Sequence, residues 1–349
     1  DCSSYTADLQ TVKLLYNAIV SEGASMLTLD LTDFYLGSVL PRPEYMWLTR
    51  DQIPPDIQAR YRDTIHWRGD RALVQIDKGI YGLPQAGKLA QDDLLPLLAS
   101  GGYHQCPNTP LLFKHSTKAI SFVLVVDDFL IKYSSREDAL HLMDVIGHKY
   151  KYTVDWTGSK YLGMSVAYDQ QKREITLSMP GYVKAALKRF QVLRNSKPTH
   201  SPAPFSPPVY GKHVQYVSID DSAPLAAPAT TYIREVIGTF LYYARAVDCT
   251  MITTLNKLAS RQSTPTAALY SDVQHFLQYA ATYPDAAVTY TASDMRLILW
   301  SDSSYLSESN SRSRAGGYHY LSRNGDPTSA PPNGAIDAIS TIIPTVVSA

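Results

Sequence analysis

The run from Ser121 to Ile131 is apolar except at its first residue and its middle, where Asp127 and Asp128 stand side by side. Continuous apolar runs of this length, rich in β-branched residues, predict buried strands. Two neighbouring carboxylates in such a run repel each other and resist desolvation. They fit only a solvated turn or the surroundings of a cation. The pattern therefore predicts a strand–turn–strand hairpin with the aspartates at its tip. Asp-Asp lacks the glycine that tight hairpin turns favour, so the pair points to chemistry, and a two-metal site is the natural reason. A second apolar strand, Met26 to Leu29, also ends in a carboxylate, Asp30.

The remaining pattern predicts an α+β chain. Helical spacing covers Thr11 to Ser21, stopped near Gly23. Pro41 to Asp77 reads as irregular, rich in proline and charge, ending in a strand at Ala72 to Ile76. Ala86 to Ala99 reads as a helix, kinked by Pro96 and ended by Gly101 and Gly102. Leu111 to Lys114 is a short strand, and Ser135 to Asp138 is a capping box that opens a helix running to about His148. Strands near Tyr152, Leu162 and Ile175 are expected to complete one antiparallel layer. Gly181 to Phe190 reads as a short amphipathic helix, and Asn195 to Pro228 as a proline-rich linker. Three helices follow, at Thr230 to Val247, Met251 to Ala259 and Ala267 to Ala281. Strands near Val288, Leu297 and Tyr318 come next, with a poorly ordered tail expected from Asn324 onward.

Taken in order, several motifs resemble reverse transcriptases of the Ty1/copia retrotransposon class. Leu29 to Gly37, followed by Glu44 to Met46, is similar to the family's first aspartate motif. Lys78 to Lys88 resembles its second motif, a loop that leads into a helix. Val125 to Asp128 resembles the double-aspartate motif, with valine at 125 where the family usually has tyrosine. Tyr161 to Met164 resembles the hairpin that grips the primer end. Tyr232 to Ala244 and Leu297 to Tyr318 resemble the region beyond the polymerase and the start of a ribonuclease H domain.

The resemblance implies a right-hand polymerase palm with partial fingers over 1–168. A thumb or connection region would follow over 169–294, with the linker at 195–228, and an incomplete ribonuclease H-like segment over 295–349. It implies RNA-directed DNA synthesis. Asp30 and Asp127 would hold two Mg²⁺ ions, with Mn²⁺ as a substitute, and Asp128 would complete the triad. Tyr35 would lie under the deoxyribose and select dNTPs over rNTPs. Backbone amides from Leu31 through Asp33 to Phe34 would cradle the triphosphate, while the Asp33 side chain reads as a solvated surface carboxylate. Gln85 would touch the incoming nucleotide or the template. As an ordinary loop amide it would instead cap its own helix. Tyr161, Leu162, Gly163 and Met164 would form the primer grip.

Lys184, Lys188, Arg189, Arg194 and Lys197 follow one another with no acidic residue between them. Lys184, Lys188 and Arg189 would track the nucleic-acid backbone, or form a solvated helix face. Asp302 ends a strand in the manner of a ribonuclease H start. The family's next carboxylate falls beyond Val346 to Ala349, so no ribonuclease H activity is expected. Both ends read as the edges of a gene fragment from a larger polyprotein.

Zero net charge over 349 residues counts mildly against nucleic-acid binding. Three scattered cysteines, Cys2, Cys106 and Cys249, show no metal-ligand spacing and read as packing residues in a reduced compartment. No apolar run reaches membrane-spanning length, and no signal peptide is visible. A cytoplasmic retroelement particle, or the nucleus, is the expected location. RNA or DNA template, a nucleic-acid primer and dNTPs are the expected partners. Two alternatives stay open: an inactive retroelement fragment that at most binds nucleic acid, and another metal-dependent nucleotidyltransferase or nuclease on a related palm.

Overall fold

The computed structural model describes residues 4–205, 220–309, 312–323, 325–326 and 328–345. Cys2, the centre of the proline-rich stretch at 206–219, and the Val346–Ala349 stretch lie outside the described residues. The fold is α+β, with several antiparallel sheets. Two compact units divide the chain. The first holds 4–8 and Met26–Trp156, and the second holds Leu9–Ser25 and the described residues from Thr157 onward. The break falls after Trp156, ahead of the boundary at 168 expected from the sequence.

The chain begins with α1 (Leu9–Glu22) in the second unit and then enters the first through β1 (Ser25–Leu31). The first unit continues with β2 (Val39–Thr49), α2 (Pro55–Arg60), β3 (Trp67–Arg68), β4 (Arg71–Lys78), α3 (Ala86–Ser100), β5 (Tyr103–Gln105), β6 (Leu112–His115), β7 (Ile120–Val125), β8 (Asp128–Tyr133), α4 (Arg136–Gly147) and β9 (Tyr152–Asp155). Six strands form one sheet in the order β5-β6-β7-β8-β1-β9. Its centre is apolar: Phe122, Val123 and Leu124 of β7 and Phe129, Leu130 and Ile131 of β8 are all buried. Phe113 and Phe122 face each other across β6 and β7 and stack at 4.9 Å, a cross-strand pair that helps fix register. Helices α3 and α4 pack on each other, and α4 packs on β8. Ala90, Leu94 and Leu98 of α3 and Leu142 and Ile146 of α4 supply the buried face. Ser135 caps α4 by accepting a hydrogen bond from the Asp138 amide.

The segment 41–77 is more ordered than expected. β2, β4 and β3 form a three-stranded sheet, with α2 between β2 and β3. The prolines misled the reading because they sit where the ladder does not need their N–H. Pro41 and Pro43 fall between the Val39–Lys78 and Glu44–Ile76 pairs, where the register shifts.

The second unit contains β10 (Lys160–Tyr161), β11 (Met164–Asp169), β12 (Glu174–Ser178), α5 (Tyr182–Arg189), α6 (Ala227–Ala246), α7 (Ile252–Ala259), α8 (Ala267–Thr282), β13 (Ala287–Thr291), β14 (Arg296–Ser303), β15 (Ser313–Ser322) and β16 (Ala335–Ile343). The expected single layer is in fact divided. β9 belongs to the six-stranded sheet, whereas β10, β11 and β12 pair with β13 in a separate sheet. Strand pattern alone does not assign a strand to a sheet, and the partner β13 lies far along the chain. The expected disorder from Asn324 onward is also overturned. β16 pairs with β15 from Ser313–Ile343 to Tyr320–Ala335 in a further three-stranded antiparallel sheet with β14. Helix α1 packs on β12, β13 and β16 through its apolar face, with Val12, Tyr16, Ile19 and Val20 fully buried.

Among the described residues no helix is long and apolar enough to cross a membrane. Removing the α4 cap tests the local account. Ser135→Ala is expected to lower the unfolding free energy by about 1 kcal/mol, read as a lower urea midpoint at unchanged slope.

Candidate carboxylate centre

Burial alternates at the end of β1: Leu29 and Leu31 are buried, and Asp30 between them is exposed. This is the period of a strand with one face in the core. Asp30 is opposite Thr153 of β9, and β8 flanks β1 on the other side. The Leu31 amide donates to the Asp127 carbonyl at 3.0 Å. One backbone hydrogen bond thus ties the end of β1 to the tip of the β7–β8 hairpin.

The hairpin tip is not centred on Asp-Asp. Val125 pairs with Asp128, so Val126 and Asp127 are the two turn residues and Asp128 is the first residue of β8. Val126 has φ 60°, the left-handed region that two-residue hairpins require at their first position and that glycine normally fills. A β-branched residue there is strained. Asp33, just past β1, is also left-handed at φ 55°, a conformation aspartate tolerates better.

The three carboxylates act on one another. Asp128 is half-buried, and its carboxyl is pushed up to about 6, first by burial and then by the charges of Asp127 and Asp30. Asp30 is also raised, by burial and then by Asp127. Asp127 lies at the hub of this field. The Tyr81 hydroxyl donates to its Oδ2 at 3.3 Å. Tyr35 and Tyr81 meet edge to face at 4.7 Å. Burial followed by the Asp127 charge raises both phenols. Tyr81 is the residue that sequence reasoning missed: it lies inside the Lys78–Lys88 motif, but only the fold brings it to Asp127. Gly79 makes the approach feasible, since a Cβ there would stand 2.7 Å from the Tyr35 carbonyl oxygen.

Gln85 stands at the N-cap position of α3, yet its side chain does not cap the helix. It donates to Glu44 Oε1 at 3.0 Å, joining two segments of the motif series. The amide cradle expected from Leu31 to Phe34 loses its first two donors. Leu31 N–H is bound to Asp127, and Thr32 N–H donates to the Lys151 carbonyl at 2.9 Å. The Asp33 side chain is exposed, as expected, and Phe34 is a buried core ring packed against Tyr150.

The other expected site residues lie in the second unit. Tyr161 and Met164 flank a two-residue turn formed by Leu162 and Gly163, both with positive φ. Their side chains are buried, so the hairpin presents its turn backbone and not those two side chains. The Leu162 carbonyl accepts from the Tyr242 hydroxyl. On α5, Lys184 pairs with Asp285 at 3.3 Å and Arg189 with Glu235 at 2.8 Å, all exposed. Lys188 is exposed. Asp302 is exposed on β14, opposite Gly316, and accepts from the Ser303 amide.

Oxygen-only donors at a mutually repelling carboxylate cluster suit a small hard cation. Among the described residues, however, no three His, Cys, Asp or Glu side chains converge as a ready metal cage. Comparison of the sequence with models of known protein families finds no match.

The raised Asp128 carboxyl sets a pH dependence. Between the ordinary value of 3.8 and about 6, folded Asp128 holds a proton that the unfolded chain has released. The folded state binds more protons in that window, so this group's effect on stability becomes less favourable as pH rises through it. Asp128→Asn is expected to be more stable than wild type at pH 7 by about 1 kcal/mol, after allowing for solvent screening. That gain should shrink toward pH 4. Urea unfolding at both pH values measures it, and a variant less stable at pH 7 would contradict the electrostatic account.

Proposed function

We propose that this chain is the polymerase core of a Ty1/copia-class reverse transcriptase, with the first unit as palm and partial fingers. One observation carries the reading. Carboxylates from two separated motifs, Asp30 on one strand and Asp127 and Asp128 on a hairpin, come to the same end of the six-stranded sheet, where the Leu31–Asp127 backbone hydrogen bond joins the two segments. A nucleotidyl-transfer palm needs this arrangement, with acidic oxygens at the open end of a rigid antiparallel sheet.

The donor chemistry fits Mg²⁺, with Mn²⁺ as a substitute: three carboxylates whose mutual repulsion a cation would relieve. Asp30 and Asp127 would hold the ions and Asp128 would complete the set, drawing together from their separate rotamers. Bound ions would supply Lewis-acid activation of the primer 3′-hydroxyl and neutralise charge on the leaving group. In the reaction, the primer 3′-oxygen forms a bond to the α-phosphorus of a dNTP, the α–β phosphoanhydride bond breaks, and pyrophosphate leaves.

The chain's own residues do the positioning. The Tyr81 hydroxyl orients the Asp127 carboxylate. Tyr35, braced by the Tyr81 ring, would stand under the sugar and exclude a 2′-hydroxyl. Gln85, held by Glu44, would meet the nucleotide or template. Template, primer and dNTPs are the proposed partners. The β14–β16 sheet with Asp302 would be the start of a ribonuclease H-like segment.

Primer extension on an RNA template with Mg²⁺ and dNTPs tests the reading. Folded wild type is expected to extend, and Asp127→Asn to lose at least about 10²-fold of the rate. Undiminished extension by that variant would reject the site. RNA binding without nucleotide addition by folded wild type would leave a non-catalytic binding module. In the same assay Tyr35→Ala is expected to incorporate ribonucleotides that wild type refuses, and unchanged selectivity would remove Tyr35 from that role.

A further inference from the structure

β14 forms one edge of the β14-β15-β16 sheet, and its outer side has no partner strand among the described residues. It runs for eight residues in unbroken register with β15, from Arg296–Ser322 to Ser303–Ala315. The opposite edge strand, β16, packs on α1 and α7, whereas β14 packs mainly on β15. A bare edge presents a row of free backbone N–H and C=O groups, and stable folds blunt it with proline, lysine, a bulge or a short strand. β14 has none of these.

The side chains of this edge are apolar at its centre. Leu297 and Leu299 are 55% and 56% exposed on one face, and the exposed Ile339 of β16 shares that face. On the other face Ile298 is buried, and the half-exposed Trp300 meets the Tyr320 ring edge to face at 5.2 Å. Charge stands only near the ends. Arg296 precedes Leu299 by three residues and Asp302 follows it by three. Both are exposed, and neither forms an ion pair among the described residues.

We infer that β14 is the contact strand of a homodimer, in which two copies pair antiparallel about a two-fold axis at Leu299. Leu299 then faces its own counterpart, Ile298 faces Trp300 of the second copy, and Leu297 faces Ser301. Arg296 faces Asp302 at both ends, giving two ion pairs. A two-fold contact must be self-complementary, and the charges of this strand complement one another only in this register. Sliding the pairing by two residues, the smallest step that keeps each face together, sets Arg296 opposite Trp300 or Ser304 and breaks both pairs. In the proposed register the leucine rows of the two copies become neighbours, and the backbone groups of the edge gain partners. One strand pair is a small interface, so the dissociation constant is expected on the order of 10 µM.

Sedimentation velocity of the full chain across that concentration is expected to show monomer passing into dimer. Arg296→Asp sets like charges opposite each other at both ends and is expected to weaken association about tenfold. Asp302→Arg should weaken it equally. The double variant Arg296→Asp/Asp302→Arg should recover wild-type association, because the exchanged charges meet again across the axis. Both side chains are exposed, and circular dichroism checks that each variant is folded. Leu299→Lys, which sets two cations face to face at the axis, provides a second route to the same loss. A chain that stays monomeric, or that assembles beyond a dimer, would overturn the proposal. So would a dimer insensitive to the single reversals, or a double variant that fails to recover. The readout involves no nucleotide chemistry, so it stands or falls independently of the polymerase reading.

Discussion

The arrangement of the first unit depends on the seam between β1 and the β7–β8 hairpin. β1 sits between β8 and β9, so its register decides which side chain reaches the open end of the sheet. A one-residue slip would bury Asp30 and expose Leu29 and Leu31. Burial of those leucines therefore opposes any slip, and the Leu31–Asp127 hydrogen bond closes the seam at its tip. The core of β7 and β8, almost entirely buried, supplies the rigidity against which that bond is held.

The same seam concentrates unfavourable terms. Three carboxylates share one end of the sheet, Asp128 is half-buried against its neighbours' charge, and Val126 occupies a left-handed turn position that suits glycine. Each lowers stability, and the apolar sheet behind them offsets the loss. Strain and charge repulsion gathered at one solvent-facing point, in an otherwise consistent fold, are the pattern expected of a functional site. The tyrosine pair belongs to that pattern. Tyr81 reaches Asp127 because Gly79 allows its loop to pass against the Tyr35 backbone.

The second unit has a different logic. Helix α1 precedes β1 in the chain yet packs with strands more than a hundred residues downstream. Gly23, left-handed at φ 66°, ends the helix and releases the chain into β1. The long sequence separation explains how a lysine on an early helix, Lys13, comes to cap α6. Bonds such as that from Arg173 Nε to the Val20 carbonyl, at 3.2 Å, hold the helix to the same sheet.

The sequence by itself determined the local elements and the position of the carboxylates. The interrupted apolar run predicted the β7–β8 hairpin, the strand ending at Asp30 was visible as a short apolar run, and Ser135 marked the start of α4. Helices α6, α7 and α8 were legible because 3.6-residue periodicity is a local property. Tertiary structure alone decided what pairs with what. β12 found β13 across more than a hundred residues, β16 found β15, and the prolines of β2 fell into a bulge. It also decided that the turn lies at Val126–Asp127, that Leu31 spends its amide on Asp127, that Gln85 turns to Glu44, and that Lys13 is buried. Periodicity reports which face of an element is apolar. It holds no information about the partner that covers that face, and site geometry depends on the partner.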